Sequence, residues 1–242
     1  MAREDAIINL SGVELTLSSA AGPVSILRGI DLAVEAGEAV SIVGPSGSGK
    51  SSLMGIMAGL EQATTGRVAV GGLELSGADE DRLARHRRER IGIVLQTFHL
   101  IPTMTALENV AVPLELAGRR DAFERAEAEL EAVGLAHRLE HYPAQLSGGE
   151  QQRTALARAM APDPDILFAD EPTGNLDGVT GAAVIDLMFK LHAERGTTLV
   201  LVTHDQALAR RCARILHMRD GLLDGEESGD APAAELTEAT AK

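Results

Sequence analysis

The chain has 242 residues, 45% of them hydrophobic, and its 36 acidic against 22 basic side chains give a formal charge of −14. That length suffices for a sizeable core in one domain, or in a domain carrying a lobe, and the acidic balance argues against nucleic acid, whose binding draws on Lys and Arg against phosphate. The single cysteine, Cys212, excludes an internal disulfide, fits a reducing compartment and reads as a small buried apolar residue. No run approaches the ~20 apolar residues of a bilayer span, and Met1–Leu10 lacks the apolar core of a signal peptide, so direct membrane insertion is not expected.

In chain order, the first segments, "IINLSGVELTLSS" and "SILRGIDLAVEAGE", predict an antiparallel β layer. Four short runs rich in Val, Ile and Leu then recur between helix-like stretches: Ala39–Gly44, Arg90–Gln96, Asp165–Asp170 and Thr198–His204. They show little alternation, as strands buried on both faces should, and the pattern predicts βαβ units around a parallel sheet. Each run stops at something polar or flexible. In an open α/β sheet that edge, beyond the carboxyl ends of the strands, is where ligands sit. "RLARHRRER", Arg82–Arg90, lacks aromatic stacking residues and reads as a solvated helix face. After Gln96 the pattern turns helical. "DAFERAEAELEAVG" puts Phe123, Ala126, Leu130 and Val133 on one face, with Gly134 as a stop. Ser147 and Glu150 have capping-box spacing, which predicts a helix start with free N–H groups suited to an anion. The division expected is a core of residues 1–95 and 155–224, a helical lobe over 96–154, and an acidic, small-residue tail over 225–242 expected to be disordered.

"GPSGSGKS", Gly44–Ser51, fits the P-loop pattern after an apolar strand and before an apolar helix. The loop of Gly44, Pro45, Ser46, Gly47, Ser48 and Gly49, continuing to Ser52, would wrap phosphates with the backbone N–H groups of its residues other than proline. Lys50 would reach the terminal ones, and the Ser51 hydroxyl would ligate Mg²⁺. "ILFADE" adds two carboxylates: Asp170 to hold Mg²⁺, directly or through water, and Glu171 to orient and deprotonate an attacking water. His204 reads equally as a surface histidine or as a donor to the γ-phosphate or that water.

The ordered set "GPSGSGKS", Gln96, "LSGGEQQR", "ILFADE", "GNLD" and His204 resembles the ATP-binding subunit of an ABC transporter, over about Ile7 to Leu223. The resemblance implies a P-loop NTPase fold, α/β, with an antiparallel β layer and an inserted helical subdomain. It implies ATP and Mg²⁺, Gln96 as a glutamine touching Mg²⁺ and signalling to the membrane partner, and His204 as a switch. Asp177 would lie at a dimer interface. Two chains would pack head to tail, so that Ser147, Gly148, Gly149 and Glu150 of one meet the γ-phosphate held by the other. ATP would join the homodimer and hydrolysis release it, while integral-membrane permease subunits would hold it at the inner face of the membrane. "FHLIPTMTALENVAVPLELAG" and "LFADEPTGNLD" are similar to exporters of the lipoprotein-releasing and macrolide-efflux type, the YbbA branch among them. There, Phe98–Pro102 would line the groove for a permease coupling helix. Two other readings stand beside this one: an ABC-type ATPase of DNA repair or translation, and a non-catalytic regulatory module that ATP merely dimerises.

One position departs from the family pattern. Where relatives carry an aromatic that stacks on adenine, this chain has Leu17. An aliphatic face excludes water but loses stacking geometry. Weak discrimination between ATP and GTP is therefore expected, and competition binding revealing a strong adenine preference would contradict it.

Overall fold

The computed structural model describes residues 6–20 and 22–230. Two sheets form its frame. The first is antiparallel, with strand order β2-β1-β4-β5: β1 is Ile8–Ser19, β2 Gly22–Val34, β4 Thr65–Val70 and β5 Leu73–Glu74. The first two strands match the predicted layer. The hairpin β4–β5 was not foreseen, and it joins through β1, where Ile8 lies opposite both Val34 and Val70.

The second sheet has the order β10-β9-β3-β8-β7-β6. Four of its strands have five residues each: β3 (Ala39–Val43), β8 (Thr198–Val202) and β7 (Ile166–Asp170) inside the sheet, and β6 (Ile91–Leu95) at one edge. These are the four predicted runs, trimmed at their polar ends, and neighbouring strands among them pair in parallel. Toward the other edge β9 (Arg214–Arg219) pairs parallel with β3 and antiparallel with β10 (Leu222–Ser228). Gly225–Ser228, expected to belong to the disordered tail, are instead part of β10. Glu226 and Glu227 stand opposite Leu216 and Ile215, and Arg214 Nε donates to Glu226 Oε1 at 2.8 Å. Cross-strand ion pairing offsets the low β propensity of this acidic run. Residues 231–242 lie outside the described residues.

Helix α1 (Lys50–Met57) buries Leu53, Met54, Ile56 and Met57 between the two sheets. Helix α2 (Glu80–Arg90) is capped by Asp79 and buries Leu83 and His86; Arg82, Arg85 and Arg90 are solvated as expected, whereas Arg87 and Arg88 are half-buried and donate to the carbonyls of Gly59 and Leu116. The lobe consists of α3 (Ala106–Leu116), α4 (Ala122–Ala132) and two short 3₁₀ turns, and it packs on α5 (Gly148–Met160). The expected boundary between residues 154 and 155 falls inside α5, so one continuous helix joins lobe to core.

Ala126, Leu130 and Val133 of the α4 face are buried as predicted, but Phe123 is 45% exposed and Glu129 takes the buried place. A carboxylate tolerates that position because two guanidiniums meet it. Arg195 donates to both its oxygens, at 3.0 and 2.8 Å, and Arg125 approaches to 2.9 Å. Removing one partner of such a buried pair costs about 3–5 kcal/mol. Helix α6 (Gly178–Arg195) carries Arg195, so this contact fastens the lobe to the core. Cys212 is buried, as expected. Among the described residues no helix is long and apolar enough to cross a membrane.

Candidate functional site

The glycine loop leaves β3 at its carboxyl end and turns into α1 through Gly49, which occupies the cap position in the left-handed region at φ +104°. A Cβ there would lie 3.0 Å from Leu27 Cδ2 and 2.9 Å from Met218 Cε, so glycine is required both by conformation and by space. No side chain caps α1 and no acid occupies its first turn. The N–H groups and the positive end of the dipole are thus left to an anionic ligand. Lys50 Nζ donates to the carbonyls of Gly44 and Pro45, both at 2.9 Å, which holds the ammonium over the loop. Ser48 is buried beneath it and its carbonyl accepts from Gly221 N, tying the loop to the β9–β10 turn. Pro45, Ser46, Gly47 and Ser51 are exposed and Ser52 half-buried.

The carboxylates stand beside that loop. Asp170 ends β7, in register with Leu95 of β6 and Val202 of β8. Burial pushes its carboxyl above the usual range, partly countered by a hydrogen bond from the Ser51 hydroxyl and by the nearby Lys50 charge. A cation bridging Ser51 and Asp170 would remove the cause of that rise. The donor set suits Mg²⁺, which takes hard oxygen ligands from one or two protein groups and the rest from phosphates and water.

Glu171 follows with φ +45°, an unfavourable conformation for a residue with a Cβ, and its N–H donates to Val202 O at 2.9 Å. Its Oε1 lies 2.7 Å from His204 Nδ1, and Thr203 Oγ1 donates to Oε2 at 3.5 Å. Because a carboxylate only accepts, Nδ1 carries the proton and Nε2 faces outward. The His204 side chain is 76% exposed. Gln96 is exposed at the same edge, one residue past β6, with its carbonyl accepting from Asn175 Nδ2 at 2.9 Å. P-loop, Asp170, Glu171, His204 and Gln96 therefore converge.

Ser147 and its glycines do not join them within one chain. Helix α5 packs on α3, α4, α6 and β6, whereas α1 packs on β2, β4, β7 and β8. The predicted capping box is present. Ser147 Oγ accepts from Glu150 N at 3.3 Å, and Glu150 Oε2 accepts from Ser147 N at 2.8 Å. Together with Arg138 Nε on Oε1 at 2.8 Å, this holds the Glu150 carboxyl at about 2, the Ser147 N–H being the largest cause. Gly149 is buried against the core, and a Cβ on it would lie 2.3 Å from Thr180 Cγ2. Its small size thus serves packing between α5 and α6. Asp177 caps α6, accepting from Val179 N at 3.1 Å and Thr180 N at 3.0 Å.

Three further residues shape the site. Buried Asn109 holds the loop after Gln96, accepting from Ile101 N at 2.7 Å and donating to Met104 O at 3.0 Å. Arg158 Nη1 and Nη2 donate to the carbonyls of His99 and Phe98, at 2.7 and 2.9 Å, and both those residues have positive φ. Gln152 is fully buried, between β6 and the segment after Glu171. Asn109 and Gln152 lie within stretches singled out in the sequence and Arg158 lies outside them, but none carries a local signal for its partner, which lies up to 60 residues away.

A profile of the ABC transporter family matches residues 27–174. The chain belongs to the ABC transporter family. The cassette is 50% identical over 222 residues to the uncharacterized ABC transporter ATP-binding protein YbbA of Escherichia coli K12, covering 91% of this chain and 97% of that protein. It is 47% identical, over the same shares of each chain, to the lipoprotein-releasing system ATP-binding protein LolD 2 of Caulobacter vibrioides. Among solved structures it resembles the dimeric bacterial ABC transporter cassette MJ0796, with TM-score 0.86 and 41% identity over 93% of this chain and 99% of that one. A dimeric post-hydrolysis state of MJ0796 bound to ADP and Pi gives TM-score 0.85 and 40% identity over the same shares. The cassette is an ATPase with the P-loop NTPase fold.

The capping carboxylate gives a pH test. Glu150 is ordinarily protonated near 4.5 and here near 2, so its stabilisation is complete above about 4.5 and disappears as pH falls through 2. Glu150→Gln is expected to lower stability at pH 6 and to match the parent at pH 2, as read by urea denaturation across that range.

Proposed function

We propose that the cassette works as a homodimer that binds two ATP molecules between its protomers, hydrolyses them, and so drives a membrane permease of the lipoprotein-releasing or YbbA type. The observation that carries this reading is the split of the site. One chain gathers the P-loop, the Ser51–Asp170 pair and the Glu171–His204 pair at one sheet edge, while Ser147–Gly149 heads a helix packed on other elements. Likeness to dimeric cassettes supports the closing of that split by a second copy.

In this reading Lys50 and the α1 N–H groups orient the β- and γ-phosphates, and Ser147 with the N–H groups of Gly148 and Gly149 contacts the γ-phosphate from the partner protomer. Ser51 and Asp170, with Gln96 beside them, hold Mg²⁺, which when bound neutralises phosphate charge. Glu171, aimed by its hydrogen bond to His204, takes a proton from water as the water oxygen attacks the γ-phosphorus and the bond to ADP breaks. His204 serves here by orienting Glu171 through its Nδ1–H. Asp177, already capping α6, lies near the interface. Loss of the shared phosphate removes the contact that favours the closed dimer.

The lobe of α3, α4 and the first turns of α5 moves as the unit that carries Ser147. The permease meets it at Phe98–Pro102, a segment without regular structure pinned by Arg158 and Asn109, and it holds the cassette on the cytoplasmic face of the membrane. Leu17, 43% exposed and paired with the 45% exposed Val24, offers the nucleotide base an aliphatic platform. The net charge of −14 speaks against a role on nucleic acid, and the intact Glu171–His204 pair against a purely regulatory one.

Glu171→Gln is expected to keep ATP binding, lower turnover by at least a hundredfold and trap an ATP-bound dimer, as read by phosphate release and light scattering; a parental rate would remove Glu171 as the base. Ser147→Arg is expected to bind ATP as a monomer yet fail to dimerise with it, so a normal ATP-driven dimer in light scattering would refute the contact in trans.

A further inference from the structure

The ladder between β6 and β7 ends where Leu95 stands opposite Asp170. The next residue on each strand is functional: Gln96 after Leu95, and Glu171 after Asp170. Beyond that point no strand hydrogen bonds hold the two segments together, yet Glu171 sits at φ +45°, a conformation its own backbone does not favour. Its N–H is tied to Val202 O of β8 at 2.9 Å, so what the segment lacks is a tie on the β6 side.

The side-chain amide of Gln152 fills that place. Its Nε2 donates to Pro172 O, the carbonyl just after Glu171, at 2.7 Å, and to Leu95 O, just before Gln96, at 3.4 Å. Both donors of the amide are used, and together they continue the β6–β7 pairing past its end. The side chain is fully buried, while its Oε1 is buried with no hydrogen-bond partner. An orphaned buried carbonyl destabilises a fold. An apolar side chain of similar volume would avoid that cost, so packing alone gives no reason for glutamine here. The donors give one. Gln152 also lies on α5, five residues after Ser147, the N-cap of that helix. The same side chain thus links the helix that carries the γ-phosphate contact to the segments that carry the base and Gln96.

We propose that Gln152 is a positioning residue for hydrolysis: its amide holds Pro172 O and Leu95 O so that Glu171 keeps the backbone conformation that aims its carboxylate at His204. Movement of α5 on dimer closure then reaches Glu171 directly through this amide, without passing through bound nucleotide. The inference rests on Glu171 being the base.

The test uses the full-length cassette with Gln152→Leu and, in case that variant folds poorly, the closely volume-matched Gln152→Met; neither can donate to the two carbonyls. Expected for the folded variant is a kcat at least fivefold lower with KM for ATP within threefold, because ATP binding uses the P-loop and not this amide. A role in packing alone would change thermal stability and leave kcat in place. Combined with Glu171→Gln, the substitution should lower turnover no further and leave the trapped ATP dimer intact in light scattering, because both changes act on one group. A kcat within fivefold of the parent, or a double variant that no longer forms the ATP dimer, overturns the proposal. If Glu171→Gln alone turns over at the parental rate, it is the assignment of the base that fails, and the two failures are distinguished.

Discussion

The constraint on which this molecule depends is the ending of its parallel ladder. Four five-residue strands are so thoroughly buried that almost no polar side chain fits along their length, so polar chemistry can begin only where they stop. Because the strands run parallel and in register, they stop together. Asp170 faces Leu95 on one side and Val202 on the other. The residues that follow, Gln96, Glu171 and then His204, emerge beside one another and beside the loop that leaves β3. The register makes the site; a slip of one residue on any strand would turn its side chains to the other face and separate them.

Past that edge the backbone has no sheet to rest on, and side chains take over its support. Gln152, Asn175, Asn109 and Arg158 each satisfy loop carbonyls that the ladder leaves free. Two of these four lie on α5, so the helix headed by Ser147 also carries the supports of the loop after Gln96. The helix runs unbroken from Ser147, its N-cap, to Met160 in the core. The Glu129–Arg195–Arg125 contact sets the resting position of that lobe with charges that are costly to leave unpaired.

The nucleotide-binding half and the closing half of the site differ in kind. The P-loop is complete in a single chain: a glycine cap in the left-handed region, an uncapped helix and an ammonium held over the mouth. The Ser147 end is a second helix start whose Glu150 is already occupied by Ser147 and Arg138. Its carboxylate closes the capping box, and the small residues before it leave the start of that helix without side-chain bulk.

Local chemistry alone determined a good deal. The P-loop, the two carboxylates after an apolar run, the capping box and the four five-residue strands are patterns of neighbouring residues, so spacing reveals them. The first antiparallel strands were legible for the same reason. Only the tertiary structure decided the rest. That β4–β5 completes the outer sheet, that Glu226 and Glu227 belong to a strand, and that Glu129 rather than Phe123 is buried all depend on partners distant in sequence. So does the contact of His204 with Glu171, at 2.7 Å, between residues 33 apart in the chain. Hydrogen bonds and ion pairs across long separations leave no periodic trace in the chain, because each needs one suitable side chain at one point in space and nothing in particular at the residues beside it.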